Sequence, residues 1–100
     1  MRKDLDELEI EFNTNAREAF YKLFARFETN VNNLDRRRDE NVFQHTQAKF
    51  LATLKSDLES LAITILEKYR GMDEINHLKR NLTNRINEYV QEFRMKSQAL

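Results

Sequence analysis

Apolar residues recur along the chain at intervals of three and four positions, in three successive runs. The runs cover residues 5–34, 43–69 and 75–93. This spacing places the apolar side chains on one face of an α-helix, which has about 3.6 residues per turn. The pattern therefore predicts three amphipathic helices over about residues 4–36, 42–70 and 74–99.

Two places along the chain interrupt this pattern. Gly71 is the only glycine, and glycine readily takes the left-handed conformation that ends many helices. Because Asp73 follows as a candidate N-cap, we expect a tight turn between the second and third helices. Between the first two runs, the apolar stripe changes direction by about 130° on a common helical wheel. With Asn41 and Gln44 as a candidate capping box, this change predicts a turn near residues 36–41.

Two polar positions inside the first run bear on the length of the first helix. Asn15 with Glu18 resembles a capping box and could begin a helix there. The apolar stripe passes through this point without a change of phase, so we favour one continuous helix. Asn30 lies on the same stripe, which predicts a buried asparagine that could fix register or oligomeric state.

Composition supports an all-α fold. The 100 residues include no proline and no cysteine, and 34% of them are charged. Because the helix-breaking residues proline and glycine are scarce, long helices are favoured. A chain of this length is typical of one domain. We therefore expect residues 1–100 to fold as a single elongated up-down-up antiparallel three-helix bundle.

Charge and hydropathy narrow the classes of partner. The 17 basic and 17 acidic side chains cancel, which leaves no overall field to attract nucleic acid. The longest apolar stretch is six residues, too short to span a membrane. The opening residues carry no apolar signal segment, and the chain has no cysteine for disulfides. These features predict a cytoplasmic protein.

Neither histidine has the neighbours that its chemistry would need. His45 and His77 lie in different predicted helices, point away from the apolar stripes, and lack a ligand four residues later, so we expect no metal site. Phosphotransfer domains carry an exposed helical histidine in the pattern His-x-x-Lys-Gly. Here Lys49 stands one position late and no glycine follows, which leaves phosphotransfer at His45 a weak alternative.

Acidic pairs are plentiful in the predicted first turns of helices, where they complement the helix dipole. A three-helix bundle also offers little concavity for a substrate. We therefore expect no catalytic residues, no cofactor and no small-molecule substrate. Arg36, Arg37 and Arg38 form the densest basic cluster, but acids flank them. The favoured interpretation is a solvated turn, with contact to phosphate or an acidic partner as the alternative.

Residues 19–27 hold four aromatic residues together with Lys22 and Arg26 on the opposite side. Core packing is the common reason for such an aromatic stripe. A basic amphipathic helix can also bind a membrane surface. Membrane binding through residues 19–27 is therefore the leading alternative function.

A second apolar edge widens the hydrophobic face of the first helix beyond what two neighbouring helices can cover. This edge consists of Ile10, Arg17, Tyr21, Phe24 and Glu28. We expect it to form an antiparallel homodimer in which Arg17 of one copy meets Glu28 of the other, although another protein could also bind there. The sequence thus favours a non-enzymatic interaction module, of adaptor, chaperone-like or assembly type.

Overall fold

The computed structural model describes residues 5–69 and 74–100, with the backbone alone described for Leu5. Three helices account for most of them: α1 Leu5–Val31, α2 Glu40–Lys68 and α3 Ile75–Gln98. No strand occurs in the described residues. The predicted up-down-up bundle is confirmed. It is elongated, at 55 × 19 × 17 Å, and its topology makes α1 and α3 parallel to each other and antiparallel to α2.

One hydrophobic core runs along the bundle axis and uses the apolar stripes of all three helices. Every helix contributes residues at intervals of three or four positions, as the sequence predicts. The fully buried large side chains of this core are Leu8, Phe12, Phe27, Phe43, Leu54, Leu58, Leu78, Leu82 and Phe93.

The end of the bundle that contains the α1–α2 connection is filled with aromatic rings. Phe27 packs edge-on against three other rings, with centroid distances of 5.4–5.7 Å. These three rings come from α2 and α3 and belong to Phe43, Phe50 and Phe93. Edge-to-face contacts at this distance are favourable because the positive edge of one ring meets the negative face of the next.

The chain reverses direction earlier than the sequence predicts. α1 ends at Val31 rather than near residue 36, and the connection covers residues 32–39. Two aspartate side chains hold it: Asp35 Oδ1 accepts the Arg37 N–H (3.0 Å), and Asp39 Oδ2 accepts the Asp35 N–H (3.1 Å). Asn and Asp compete with helical hydrogen bonds in this way, and the helical wheel does not register that competition.

The predicted capping box at Asn41 and Gln44 is wrong. α2 begins at Glu40, so Asn41 lies inside the first helical turn, and the N-cap position belongs to Asp39. Gln44 Nε2 donates to Glu40 Oε1 at 3.0 Å instead of closing a box. α2 begins at Glu40, two residues before the predicted start at residue 42, because the turn held by the Asp35 and Asp39 side chains ends there.

The prediction of a buried Asn30 is also wrong. Asn30 is exposed, and its Nδ2 donates to the Arg26 carbonyl oxygen one turn earlier at 2.9 Å. Because α1 ends one residue later, Asn30 belongs to the final helical turn, where a polar side chain can bond to the backbone. The expectation that α1 continues through Asn15 is confirmed.

The predicted turn residues Gly71 and Asp73 lie outside the described residues. On either side of them, α2 ends at Lys68 and α3 begins at Ile75, each within two residues of the predicted boundary. At the other end of α3, Ser97 takes the last buried position, the helix ends at Gln98, and Leu100 is 47% exposed.

Polar side chains join the helices near the start of α1. Asn81 Nδ2 donates to Glu9 Oε1 at 2.6 Å, and Tyr89 Oη donates to Asn13 Oδ1 at 3.1 Å. Both bonds link α1 to α3. Asn13, which interrupts the apolar pattern of the first run, is therefore a contact between helices.

In the described part of the chain, no helix has the length and apolar character needed to cross a membrane.

Candidate interaction surface

Four residues form a row along the outside of α1, which we call the α1 line: Ile10, Arg17, Tyr21 and Glu28. Successive members are separated by seven, four and seven residues, so at about 100° per residue they point in directions within about 40° of one another. All four are exposed. Ile10 is 65% exposed and Tyr21 is 60% exposed, which is high for large apolar side chains.

The fifth residue that the sequence assigns to this surface turns partly inward. Phe24 is half-buried; its ring lies 5.2 Å from that of Phe93 on α3 and stacks at 6.1 Å on that of Phe20. Phe24 therefore helps to join α1 to α3. Its position at the margin of the core explains why a pattern of spacing alone placed it on the outer edge.

The two charged members of the α1 line have no ion-pair partner within the described residues. Arg17 and Glu28 lie eleven residues apart, about 16 Å along the helix, and both are exposed. Some other exposed charges on the bundle are paired, as in Lys22–Glu18 (3.1 Å). The α1 line thus offers one unpaired cation and one unpaired anion beside two apolar side chains.

Tyr21 lies beside α3 as well as on α1. Its ring packs edge-on against Phe20 at 5.6 Å, and the Lys96 ammonium lies 5.8 Å from its centroid. A shallow cleft of about 350 Å³ separates the two helices here, lined by both apolar and charged side chains. The α1 line is consequently the edge of a wider α1–α3 face.

The opposite end of the α1 line adjoins a hollow of about 510 Å³, which we call the end hollow. Glu28 is one of its lining residues, and apolar side chains line it from the end of α1, from the connection, from α2 and from the second residue after α3. Its apolar lining residues are Val31, Leu34, Phe43 and Leu100. Sequence analysis did not find this hollow, because its walls come from segments more than 60 positions apart.

Arg36 forms one wall of the end hollow and is the functional candidate that the sequence interpretation most misjudged. Its guanidinium stacks 3.8 Å from the centroid of the Phe43 ring, and its Nη1 donates to the Leu100 carbonyl oxygen at 2.9 Å. Arg36 also pairs with Glu40 at 3.4 Å. It is half-buried, whereas the neighbouring Arg37 and Arg38 are exposed as a solvated turn requires.

The aromatic segment 19–27 divides between the interior and the surface. Phe20 and Phe27 are buried, Phe24 is half-buried, and Tyr21 alone of the four rings is exposed. The two basic residues of this segment lie on the other flank of α1, beside Asp57 of α2. Within this segment, the exposed Tyr21 ring and the two basic residues therefore lie on different flanks of α1.

Both histidines are exposed, as the sequence predicts. Within residues 5–69 and 74–100, no three His, Asp or Glu side chains come close enough together to hold a metal ion. The ion pairs of the described acids are mostly local, as in Glu88–Arg85 and Glu92–Lys96. Glu11 is different, because it binds Lys68 of α2 at 2.8 Å and thereby joins two helices.

Comparison of the chain with protein-family models, with curated proteins and with solved structures gives no match. The α1 line and the end hollow are therefore the features from which a function has to be argued.

Proposed function

We propose that the protein is a non-enzymatic helical interaction module, of adaptor, chaperone-like or assembly type, that forms a homodimer through the α1 line. One observation carries this proposal: two large apolar side chains, 65% and 60% exposed, share a row on one helix with a cation and an anion that have no ion-pair partner among the described residues. Apolar side chains scattered singly over a surface need no explanation, but a row with charges at set positions is typical of a docking face.

The charges in this row favour a second copy of the same chain as the partner. A twofold axis perpendicular to α1 makes two copies of the helix antiparallel, so each residue of one copy has a fixed opposite in the other. Placing Arg17 of one copy opposite Glu28 of the other creates two ion pairs at once. A partner of another kind would need a separate acid and base at the same spacing.

The expected affinity is moderate. Completing the burial of Ile10 and Tyr21 in both copies contributes about 4–8 kcal/mol. Association costs an estimated 4–15 kcal/mol in lost translational and rotational freedom, and the ion pairs offset part of that cost. We therefore propose a reversible dimer whose population depends on concentration in the micromolar range.

The described side chains support a non-enzymatic role. Catalytic acids and bases generally converge in a cleft that excludes water, where burial shifts their pKa values. Most ion pairs of the described residues instead join neighbours about one helical turn apart, as in Lys22–Glu18 and Arg85–Glu88. For the compartment we propose the cytoplasm, since a chain of 100 residues without cysteine suits a reducing environment.

Sedimentation equilibrium with charge-introducing variants tests the proposal. We expect the wild-type protein to be a dimer at high micromolar concentration. Ile10→Glu and Tyr21→Glu should each make it monomeric while circular dichroism still reports a helical chain. Ile63→Glu is the matched control, because Ile63 is 58% exposed but lies on α2. Phe24→Glu is unsuitable, since Phe24 also supports the core.

Two results would contradict the proposal. A wild-type protein that stays monomeric at high micromolar concentration would reject self-association. A loss of dimer with Ile63→Glu as large as that with Ile10→Glu would show that α1 is not the contact.

A further inference from the structure

We infer that the end hollow sets the register of the proposed dimer: Ile10 of each copy inserts into the end hollow of its partner. This inference rests on the proposed function, because it specifies how two copies of the α1 line meet. It accounts together for the exposure of Ile10, for Glu28, which has no ion-pair partner among the described residues, and for a hollow with four apolar and four polar lining residues at the end of the same row.

The first step is the register that follows from the charges. When Arg17 lies opposite Glu28 of the partner, the twofold axis passes between positions 22 and 23. Ile10 lies seven residues before Arg17. In an antiparallel pair it therefore lies opposite the position seven residues after the partner's Glu28, which is that of Asp35. Since α1 ends at Val31, Ile10 meets the α1–α2 connection of the partner rather than its helix.

The second step is direction. Ile10 and Glu28 are eighteen residues apart, which is five full helical turns, so they point the same way from α1 about 27 Å apart. The end hollow opens at Glu28, and its other α1 walls, Thr29 and Val31, lie on either side of it. The end hollow therefore lies at the Glu28 end of the α1 line, on the side of α1 that faces the partner's Ile10.

The third step is chemistry. Val31 and Phe43 are buried and Leu34 is half-buried, while Leu100 is 47% exposed at the opening. An isoleucine side chain is apolar and fits within a hollow of about 510 Å³. Its entry would cover Leu100 and remove Ile10 from water, so both copies bury apolar surface that the isolated chain leaves exposed.

A competing register would place Ile10 opposite Tyr21 of the partner. In that case Arg17 lies opposite Thr14 of the partner, and the two Arg17 side chains approach each other within about one helical turn. This brings like charges together and leaves both end hollows unfilled. The charges and the hollow thus favour the first register.

The absence of cysteine in the chain permits a clean cross-linking test of the register. In the inferred register, Thr14 lies beside Asn32 of the partner, and both are exposed at the same edge of the α1 line. In the competing register, Thr14 lies beside Glu18 of the partner, which is also exposed. In the inferred register, Thr14 and the partner's Glu18 are about 20 Å apart along the helix axis. In the competing register, Thr14 and the partner's Asn32 are about 20 Å apart.

We would mix Thr14→Cys protein with either Asn32→Cys or Glu18→Cys protein under mild oxidation and identify the mixed disulfide by mass. The inferred register predicts a mixed disulfide with Asn32→Cys and none with Glu18→Cys. A mixed disulfide with Glu18→Cys instead would overturn the register while leaving the homodimer in place. The register would also be overturned if neither mixed disulfide forms in a protein that sediments as a dimer.

A second measurement tests the hollow without disturbing the core. Leu100→Ala should raise the dimer dissociation constant about threefold to tenfold, because the covered apolar surface is reduced. Ile10→Ala should raise the dimer dissociation constant by a smaller factor in Leu100→Ala protein than in the wild type, since the two side chains contact each other in the inferred dimer. Ile63→Ala is the control and should leave the dissociation constant unchanged.

Additive effects of Ile10→Ala and Leu100→Ala would overturn insertion into the end hollow. A wild-type protein that sediments as a monomer would instead reject the proposed function itself, so the two failures are distinguishable.

Discussion

The two ends of the bundle hold α1 against α3 by different means. At the turn end, where residues 32–39 and Leu100 lie, α1 and α3 meet through aromatic rings such as Phe27 and Phe93, 5.7 Å apart. At the far end, where α1 begins, the same two helices are joined by the Asn81–Glu9 and Tyr89–Asn13 hydrogen bonds. One end relies on buried apolar area and the other adds directed polar contacts.

The two ends should therefore respond to different substitutions. Packing of rings depends on volume and shape, so it suffers when atoms are removed. A hydrogen bond between half-buried side chains depends on the identity of both partners, because removing one leaves the other without its bond. The three predictions below test this comparison in order of expected effect.

The largest effect is expected at the turn end. Phe27→Ala should lower the free energy of unfolding by about 3–5 kcal/mol, because Phe27 is fully buried among three rings. Phe27→Leu, which keeps most of the volume, should cost less. Urea denaturation followed by circular dichroism measures both. If Leu8→Ala at the far end costs more than Phe27→Ala, the aromatic end is not the more sensitive one.

An intermediate effect is expected at the far end. Asn81→Ala should lower the free energy of unfolding by about 1–3 kcal/mol, because Glu9 loses its 2.6 Å hydrogen bond. A double-mutant cycle with Glu9→Ala isolates this coupling in denaturation experiments. Asn84→Ala, at an exposed site on the same helix, should change little. A coupling energy near zero would mean that the bond does not stabilise the bundle.

The smallest effect is expected at Arg36. Arg36→Lys keeps the charge but loses the planar group that stacks on Phe43 and bonds to the Leu100 carbonyl oxygen. We expect a loss of about 1 kcal/mol, with faster hydrogen exchange in the last turn of α3. Arg37→Lys is the control and should alter neither quantity. Equal effects of the two variants would show that the stacked position of Arg36 has no stabilising role.

Much of the fold follows from the spacing of apolar residues. The three helices, their order and most core positions were predicted because a helix must bury one stripe, and a stripe can be read from spacing alone. The change in stripe direction also located the first chain reversal to within a few residues. α1 ends at Val31, before the predicted end near residue 36, because Asp35 and Asp39 form local hydrogen bonds that the spacing of apolar residues does not reveal.

The candidate interaction surface is harder to predict from the sequence than the fold. Ile10 and Tyr21 are recognisable as surplus because they lie beside a stripe that is already complete. Phe24 lies at the margin of that stripe, and small rotations of packed helices decide whether such a side chain turns inward. The end hollow depends on contacts between residues distant in sequence, such as Arg36 and Leu100, which local patterns do not encode.

The contact of Arg36 with Leu100 also has a kinetic consequence. It joins positions 64 residues apart, and the Asn81–Glu9 and Tyr89–Asn13 bonds that also hold α3 join positions 72 and 76 residues apart. Closing a long loop has a large entropic cost, so such contacts tend to form after the transition state for folding. An interaction that is absent from the transition state slows unfolding without accelerating folding. We therefore expect the docking of α3 on the rest of the bundle to govern how long the folded protein persists, rather than how fast it folds.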